Sequence, residues 1–144
     1  MNIDSVLQKK GRRVLTTAPE TPLPDLCQKM RIHGVGALVV SRDGAHLDGI
    51  VSERDVVLAI AQHGAQALRM RTQEIMTRAP LTVTPTDTIK HAMAVMTDRR
   101  ARHLPVVEDA QLAGLISIGD LVKNRLEEVE LETNVLRDVY LAGH

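Results

Sequence analysis

Two stretches place a hydroxyl, a carboxylate and free backbone donors at one point of the chain. They read Gly49-Ile50-Val51-Ser52-Glu53-Arg54-Asp55 and Gly114-Leu115-Ile116-Ser117-Ile118-Gly119-Asp120. In each, an apolar run ends at a serine and an acid follows three residues later. Ser-x-x-Asp ahead of an apolar helix is a capping-box-like start. The serine accepts from backbone N–H groups and the acid complements the helix dipole. The free N–H groups of such a first turn also face anions. Capping accounts for the serine and the acid. It does not account for Gly, two apolar residues, Ser and Asp recurring together.

Other reactive residue types form weaker patterns. Arg99-Arg100-Ala101-Arg102-His103 is a basic cluster. As a helix end, it is a place where cations suit the dipole and stay solvated. As a nucleic-acid patch it lacks support, because no charge excess or aromatic partner accompanies it. The six histidines show no i, i+4 spacing with an acid, so no metal site is expected. The lone Cys27 can form no internal disulfide; its helical spacing predicts a packing role. No nucleophile lies beside a base, so no catalytic residue is assigned.

The elements that must position the two junctions come from a repeat. Leu15-Thr16-Thr17-Ala18-Pro19 matches Leu81-Thr82-Val83-Thr84-Pro85 at a shift of 66 residues, and Met30, Leu38 and Val40 fall on Met96, Leu104 and Val106. Past the Asp43–His46 turn the shift becomes 65, so that Leu47–Ser52 falls on Leu112–Ser117 and Asp55 on Asp120. Each copy reads β-α-β-β-α. Arg13–Thr17 and Leu81–Thr84 are extended segments. Helices opened by Pro22 and Pro24, and by Thr86-Asp87, bury Leu23, Leu26, Cys27 and Met30, then Ile89, Ala92, Met93 and Met96. Ala37–Val40 and Leu104–Val107 are buried strands. Leu47–Val51 and Leu112–Ile116 return beside them, and helices start at Glu53 and Ile118. One copy is too small to bury a core alone, so the two pack together. The expected division is residues 1–70, including an N-terminal helix, then 71–126, then a helical extension over 127–144. Ala67–Gln73 is the connection. Along the uninterrupted run from Ile118 to Leu141, Ile118, Val122, Val129, Leu136 and Val139 are spaced like a heptad seam broken by Arg125 and Glu132. That seam suits either the helix's own domain or a partner subunit.

Composition removes whole classes of function. The 144 residues include 18 basic and 18 acidic side chains, no Trp, no Phe and one Tyr, Tyr140. The core is therefore aliphatic, and the aromatic platforms of single-stranded nucleic-acid binders are missing. Balanced charge gives no field favouring nucleic acid or an anionic membrane. No window reaches the ~18–20 apolar residues of a spanning helix, and Met1–Arg13 lacks a secretory apolar run. A cytoplasmic protein without nucleic-acid or membrane partners is expected.

Over residues 3–126 the chain resembles the paired cystathionine-β-synthase (CBS) domain, or Bateman module. The resemblance rests on Gly49–Asp55, Arg102-His103-Leu104-Pro105-Val106-Val107 and Gly114-Leu115-Ile116-Ser117, in register over the tandem repeat. It implies an α+β fold of two β-α-β-β-α repeats packed as an intramolecular pair, plus the C-terminal helix. It implies a regulatory, energy-sensing module that binds an adenine nucleotide between its copies without catalysis or a catalytic cofactor. AMP is the first expectation, then ATP, ADP or NAD(H). It also implies a homodimer, a disk of four domains, acting on a regulated protein that the sequence does not name. The competing reading is a structural interaction module without a nucleotide.

The resemblance carries site residues with it. Ser and Asp of one copy work with strand residues of the other. One site joins Ile50, Ser52, Arg54 and Asp55 to Ala101, Arg102, His103 and Pro105, with Thr77 and Arg78 beside them. The other joins Leu115, Ser117 and Asp120 to Val35 and Gly36, with Arg12 beside them. The carboxylate would accept from the ribose hydroxyls, and aliphatic pairs such as Ile50 with Ala101, or Leu115 with Val35, would hold adenine. Arg54, Arg102 and His103 would meet the phosphate, since arginine offers oxygens a fixed bidentate fork. The second site has Gly36 and Ala37 where the first has Arg102 and His103, and Gly119 where the first has Arg54. The Asp55 site is therefore expected to bind nucleotide better.

Overall fold

A computed structural model describes residues 1–143; His144, the last residue of the expected extension, lies outside the described residues. The elements are α1 (Ile3–Lys10), β1 (Thr16–Thr17), α2 (Leu23–His33), β2 (Ala37–Val40), β3 (Gly49–Ser52), α3 (Glu53–His63), α4 (Thr72–Ile75), β4 (Thr77–Arg78), α5 (Ile89–Arg99), β5 (His103–Glu108), β6 (Gln111–Ser117) and α6 (Ile118–Ala142). β1 runs parallel to β2, β3 antiparallel to β2, and β4 antiparallel to β3, in the order β1-β2-β3-β4. β5 and β6 form an antiparallel pair, with a shift in register between Val106 and Val107.

The repeat is visible bond by bond. Ser41 N–H donates to Thr17 O at 2.9 Å, and its counterpart Val107 N–H donates to Val83 O at 2.9 Å. Glu53 N–H donates to Gly36 O at 3.0 Å, and its counterpart Ile118 N–H donates to Arg102 O at 2.9 Å. These bonds tie the start of α3 to the residue before β2, and the start of α6 to the residue before β5.

Several local expectations shift. The segment Leu81–Thr84 is not a strand; Val83 alone bridges Val106, in parallel. The Asp87 carboxylate accepts from Thr84 N–H at 2.8 Å and turns the chain early. The α5 cap is Thr88, whose hydroxyl accepts from His91 N–H at 3.0 Å, rather than Thr86-Asp87. Cys27 is exposed, because α2 turns Leu23, Leu26 and Met30 inward and leaves Cys27 one step past that face. The connection is structured: a 3₁₀ turn over Gly64–Arg69 seats Ala67 against Leu23 and Ala59.

Two larger aliphatic cores result, beside the small cluster of Leu23, Ala59 and Ala67. Leu26, Met30, Leu38, Val40, Val51 and Val56 fill the first. The second joins Val83, Ile89, Met96, Leu104, Val106, Ile116 and Leu121 to Ile3, Val6 and Leu7 of α1. So the N-terminal helix, which chain order groups with the first copy, packs into the second. The exchange is reciprocal. α4 leads the second copy, yet Ile75 and Met76 pack on the first core. The docking bonds match: Ile3 N–H to Asp87 O and Asp4 N–H to Pro85 O, both at 2.9 Å; Thr72 N–H to Thr21 O at 2.8 Å and Gln73 N–H to Pro19 O at 2.9 Å.

This exchange explains the repeated glycines. A Cβ on Gly114 would lie 2.6 Å from Leu7 Cδ2, and one on Gly49 would lie 2.8 Å from both Met76 Sδ and Thr77 O. Each glycine is the seat of the segment exchanged from the other copy.

Candidate functional site

The strand β3 delivers its last residue, Ser52, to the N-cap of α3. Ser52 N–H donates to Asp55 Oδ2 at 2.8 Å, Ser52 Oγ donates to the same oxygen at 3.1 Å, and Asp55 N–H faces Ser52 Oγ at 3.4 Å. The capping box is real, and all of it on the acid runs through Oδ2. Among the described residues, none donates to Asp55 Oδ1. Capping and ligand binding are therefore not rivals at this residue.

Beyond the junction lies a cavity of about 690 Å³. One wall is the first copy's Gly36, Ile50, Ser52, Glu53, Arg54 and Asp55; the facing wall is the second copy's Arg99, Arg100, Ala101, Arg102 and His103, with Thr77, Pro80 and Leu81 of the connecting chain. Three arginines, Arg99, Arg100 and Arg102, thus face two carboxylates across an opening whose volume falls in the range of small-molecule sites. The arginines reach it because α5 ends there. Arg100 caps the helix in the left-handed conformation, φ 52°, where the first copy has Gly34 at φ 64°. A non-glycine residue pays roughly 1 kcal/mol for that conformation.

His103 is about half buried between the two junctions. Burial lowers its pKa, Lys10 and Arg102 lower it further, and Asp120 and Glu53 oppose them. It lies opposite Ser117 in the β5–β6 pair.

Of the residues expected at the first site, Ile50, Ser52, Arg54, Asp55, Thr77, Ala101, Arg102 and His103 meet on this cavity. Arg78 does not: it is exposed on β4, with its guanidinium donating to Gln73 O at 3.4 Å. Pro105 is buried within β5 opposite Leu115. Gly36, expected at the second site, lines the first cavity, where its missing side chain leaves 3.0 Å between a built Cβ and Glu53 Oε1. Val35 packs on the first core. Arg99, Arg100, Pro80 and Leu81 escaped the sequence reading as site residues. The first two were visible as a basic cluster, but their direction depends on the left-handed turn at Arg100.

The second junction repeats the first cap. Ser117 N–H donates to Asp120 Oδ2 at 2.9 Å and Asp120 N–H donates to Ser117 Oγ at 3.1 Å. Here, though, Lys10 Nζ donates to Asp120 Oδ2 at 2.6 Å and to Leu115 O at 2.8 Å. Burial pushes the Asp120 carboxyl up, and the Lys10 and Ser117 bonds outweigh it, leaving the pKa below the usual carboxylate value. Arg12, expected beside this site, pairs with Asp4 instead.

The CBS domain profile matches twice, over residues 10–62 and 73–127. The Arabidopsis thaliana protein named CBS domain-containing protein CBSX3, mitochondrial, is 35% identical over 149 residues, covering 98% of this chain and 72% of its own. A CBS-domain containing protein of Agrobacterium tumefaciens superposes with a TM-score of 0.83 at 37% identity, covering 87% of this chain and 99% of its own. The structure of CBSX2 in complex with AMP shares the fold, with a TM-score of 0.72 at 24% identity over 88% of this chain and 97% of that one. Among the described residues, no helix is long and apolar enough to cross a membrane. With two profile matches in phase with its own repeat and a fold shared along most of its length, the chain belongs to the CBS domain family.

Proposed function

We propose that this chain is a non-catalytic regulatory module that binds an adenine nucleotide in the cavity between its two repeats. The observation that carries the reading is the make-up of that cavity. A carboxylate with one uncommitted oxygen stands on one copy, and an arginine cluster stands on the other. Asp55 Oδ1 accepts from ribose hydroxyls, the first-turn N–H groups and the arginines meet phosphate, and Ile50 with Ala101 sandwiches the base. AMP is the first choice, with ATP, ADP and NAD(H) behind it; the fold relative CBSX2 is known with AMP. A mononucleotide of about 23 heavy atoms at ~0.3 kcal/mol per atom binds with roughly −7 kcal/mol, an affinity on the order of ten micromolar.

The same proposal includes a homodimer, a regulated partner and a cytoplasmic setting. The dimer has physical support in the exposed apolar residues of α3 and α6, among them Val57, Ile60, Val122, Val129 and Leu136. The output follows if the dimer's two arrangements differ in nucleotide affinity.

A thermal-shift panel of AMP, ADP, ATP and NAD tests the proposal. A ligand at about a hundredfold its Kd stabilises by ~2.7 kcal/mol, a shift of several degrees. No shift with any adenine compound favours the structural interaction module instead.

A further inference from the structure

We propose that Lys10 is the built-in occupant of the second junction and limits the chain to one nucleotide. The inference rests on the nucleotide reading of the first cavity and goes beyond it. Asp120, Ser117 and Leu115 are the repeat counterparts of Asp55, Ser52 and Ile50. At the first junction these groups line an open cavity, and among the described residues no cation bonds to Asp55. At the second, the ammonium of Lys10 bridges the Asp120 carboxylate at 2.6 Å and the Leu115 carbonyl at 2.8 Å. The ammonium thus stands on the carboxylate and strand carbonyl that correspond to Asp55 and Ile50, sharing with the cap the oxygen Oδ2.

The asymmetry has a structural cause. The exchanged leader of the second copy, α4, lasts four residues, and the chain then passes into β4, which pairs through Thr77 with Ile50. The leader of the first copy, α1, lasts eight. Leu7 seats it on Gly114, and Lys10 follows three residues later on the same face, reaching along β6. Two further ion pairs clamp α1 to α6: the Met1 ammonium with Glu128 and Lys9 with Glu127, each at 2.7 Å. A nucleotide entering here must displace an ammonium already bonded to its carboxylate.

Calorimetric titration with AMP of the wild type, Asp55→Ala, Lys10→Ala and the double variant reads the occupancy. The expected result is one equivalent for the wild type, none for Asp55→Ala, and one again for the double variant, through the unblocked junction. Two equivalents in the wild type, or none in the double variant while Lys10→Ala keeps one, overturns the role of Lys10. No binding to any of the four overturns the nucleotide reading itself. In that event Lys10 is read without nucleotide, by the rate of acetylation of its amine. Asp120→Asn should speed modification of Lys10 about threefold, as loss of a partly exposed ion pair implies. An unchanged rate shows that the ion pair does not hold Lys10 and overturns the inference.

Discussion

At the scale of single residues, the site uses groups that also hold the fold. Asp55 caps α3 through Oδ2 and keeps Oδ1 for a donor. Arg100 takes a strained conformation that its repeat partner leaves to Gly34. Exchanging it, Arg100→Gly, should raise stability by about 0.5–1 kcal/mol and weaken AMP binding several-fold. Urea denaturation and calorimetry read the two effects; a gain in stability with unchanged affinity removes Arg100 from the site. His103 gives a pH signature. Its folded pKa lies below the ordinary 6.5, so the unfolded chain takes up the proton first. The contribution is present above pH 6.5 and is lost as pH falls below it. The drop in urea midpoint between pH 7.5 and 5.5 should therefore be smaller in His103→Gln than in the wild type. Asp120 acts lower: its contribution holds above 3.8 and disappears as pH falls further. The serines and acids of both junctions were legible in the sequence, because capping fixes their spacing. The cation on Asp120 was not, since Lys10 lies 110 residues away and nothing in its neighbours points to Asp120.

At the scale of elements, the repeat order β-α-β-β-α came from periodicity and holds in the first copy. It weakens at Leu81–Thr84, where Asp87 and Pro85 close a turn that an extended run would not tolerate. The exchange of α1 and α4 was not legible. Spacing shows that α1 has an apolar face, but not which copy covers it. Leu7 is fully buried in the second core, against Gly114. Leu7→Ala should cost about 2–5 kcal/mol, measured by urea denaturation. A loss under 1 kcal/mol would show that α1 is not integral to the second copy. The two glycines of the repeated motif gain their meaning here as well. They are seats for the exchanged segments, which is why capping alone did not explain them.

At the scale of the molecule, the aliphatic composition shapes both the cavity and the outer surface. In the proposed function, the cavity offers a base Ile50 and Ala101 rather than an aromatic platform, and affinity rests on the carboxylate and the arginines. Outside, every residue of α6 from Val129 to Ala142 is exposed, including Leu136 at 70% and Val139 at 66%. An isolated helix of that length is marginal in water. The proposed homodimer gives it cover, with Arg125 and Glu132 breaking the apolar seam into a polar register. Sedimentation of the double variant Val129→Glu/Leu136→Glu should show monomer where the wild type shows dimer. A wild type that sediments as monomer at high micromolar concentration contradicts the dimer and leaves the cavity reading intact.

The proposed function stands on one cavity, built by both copies and anchored on Asp55, taking an adenine nucleotide. Calorimetric titration of AMP into the wild type, Asp55→Ala and Asp120→Ala tests it most directly. Binding on the order of ten micromolar is expected in the wild type, no measurable binding in Asp55→Ala, and a change within about twofold in Asp120→Ala. Equal losses in the two variants, or no heat with the wild type, would contradict it.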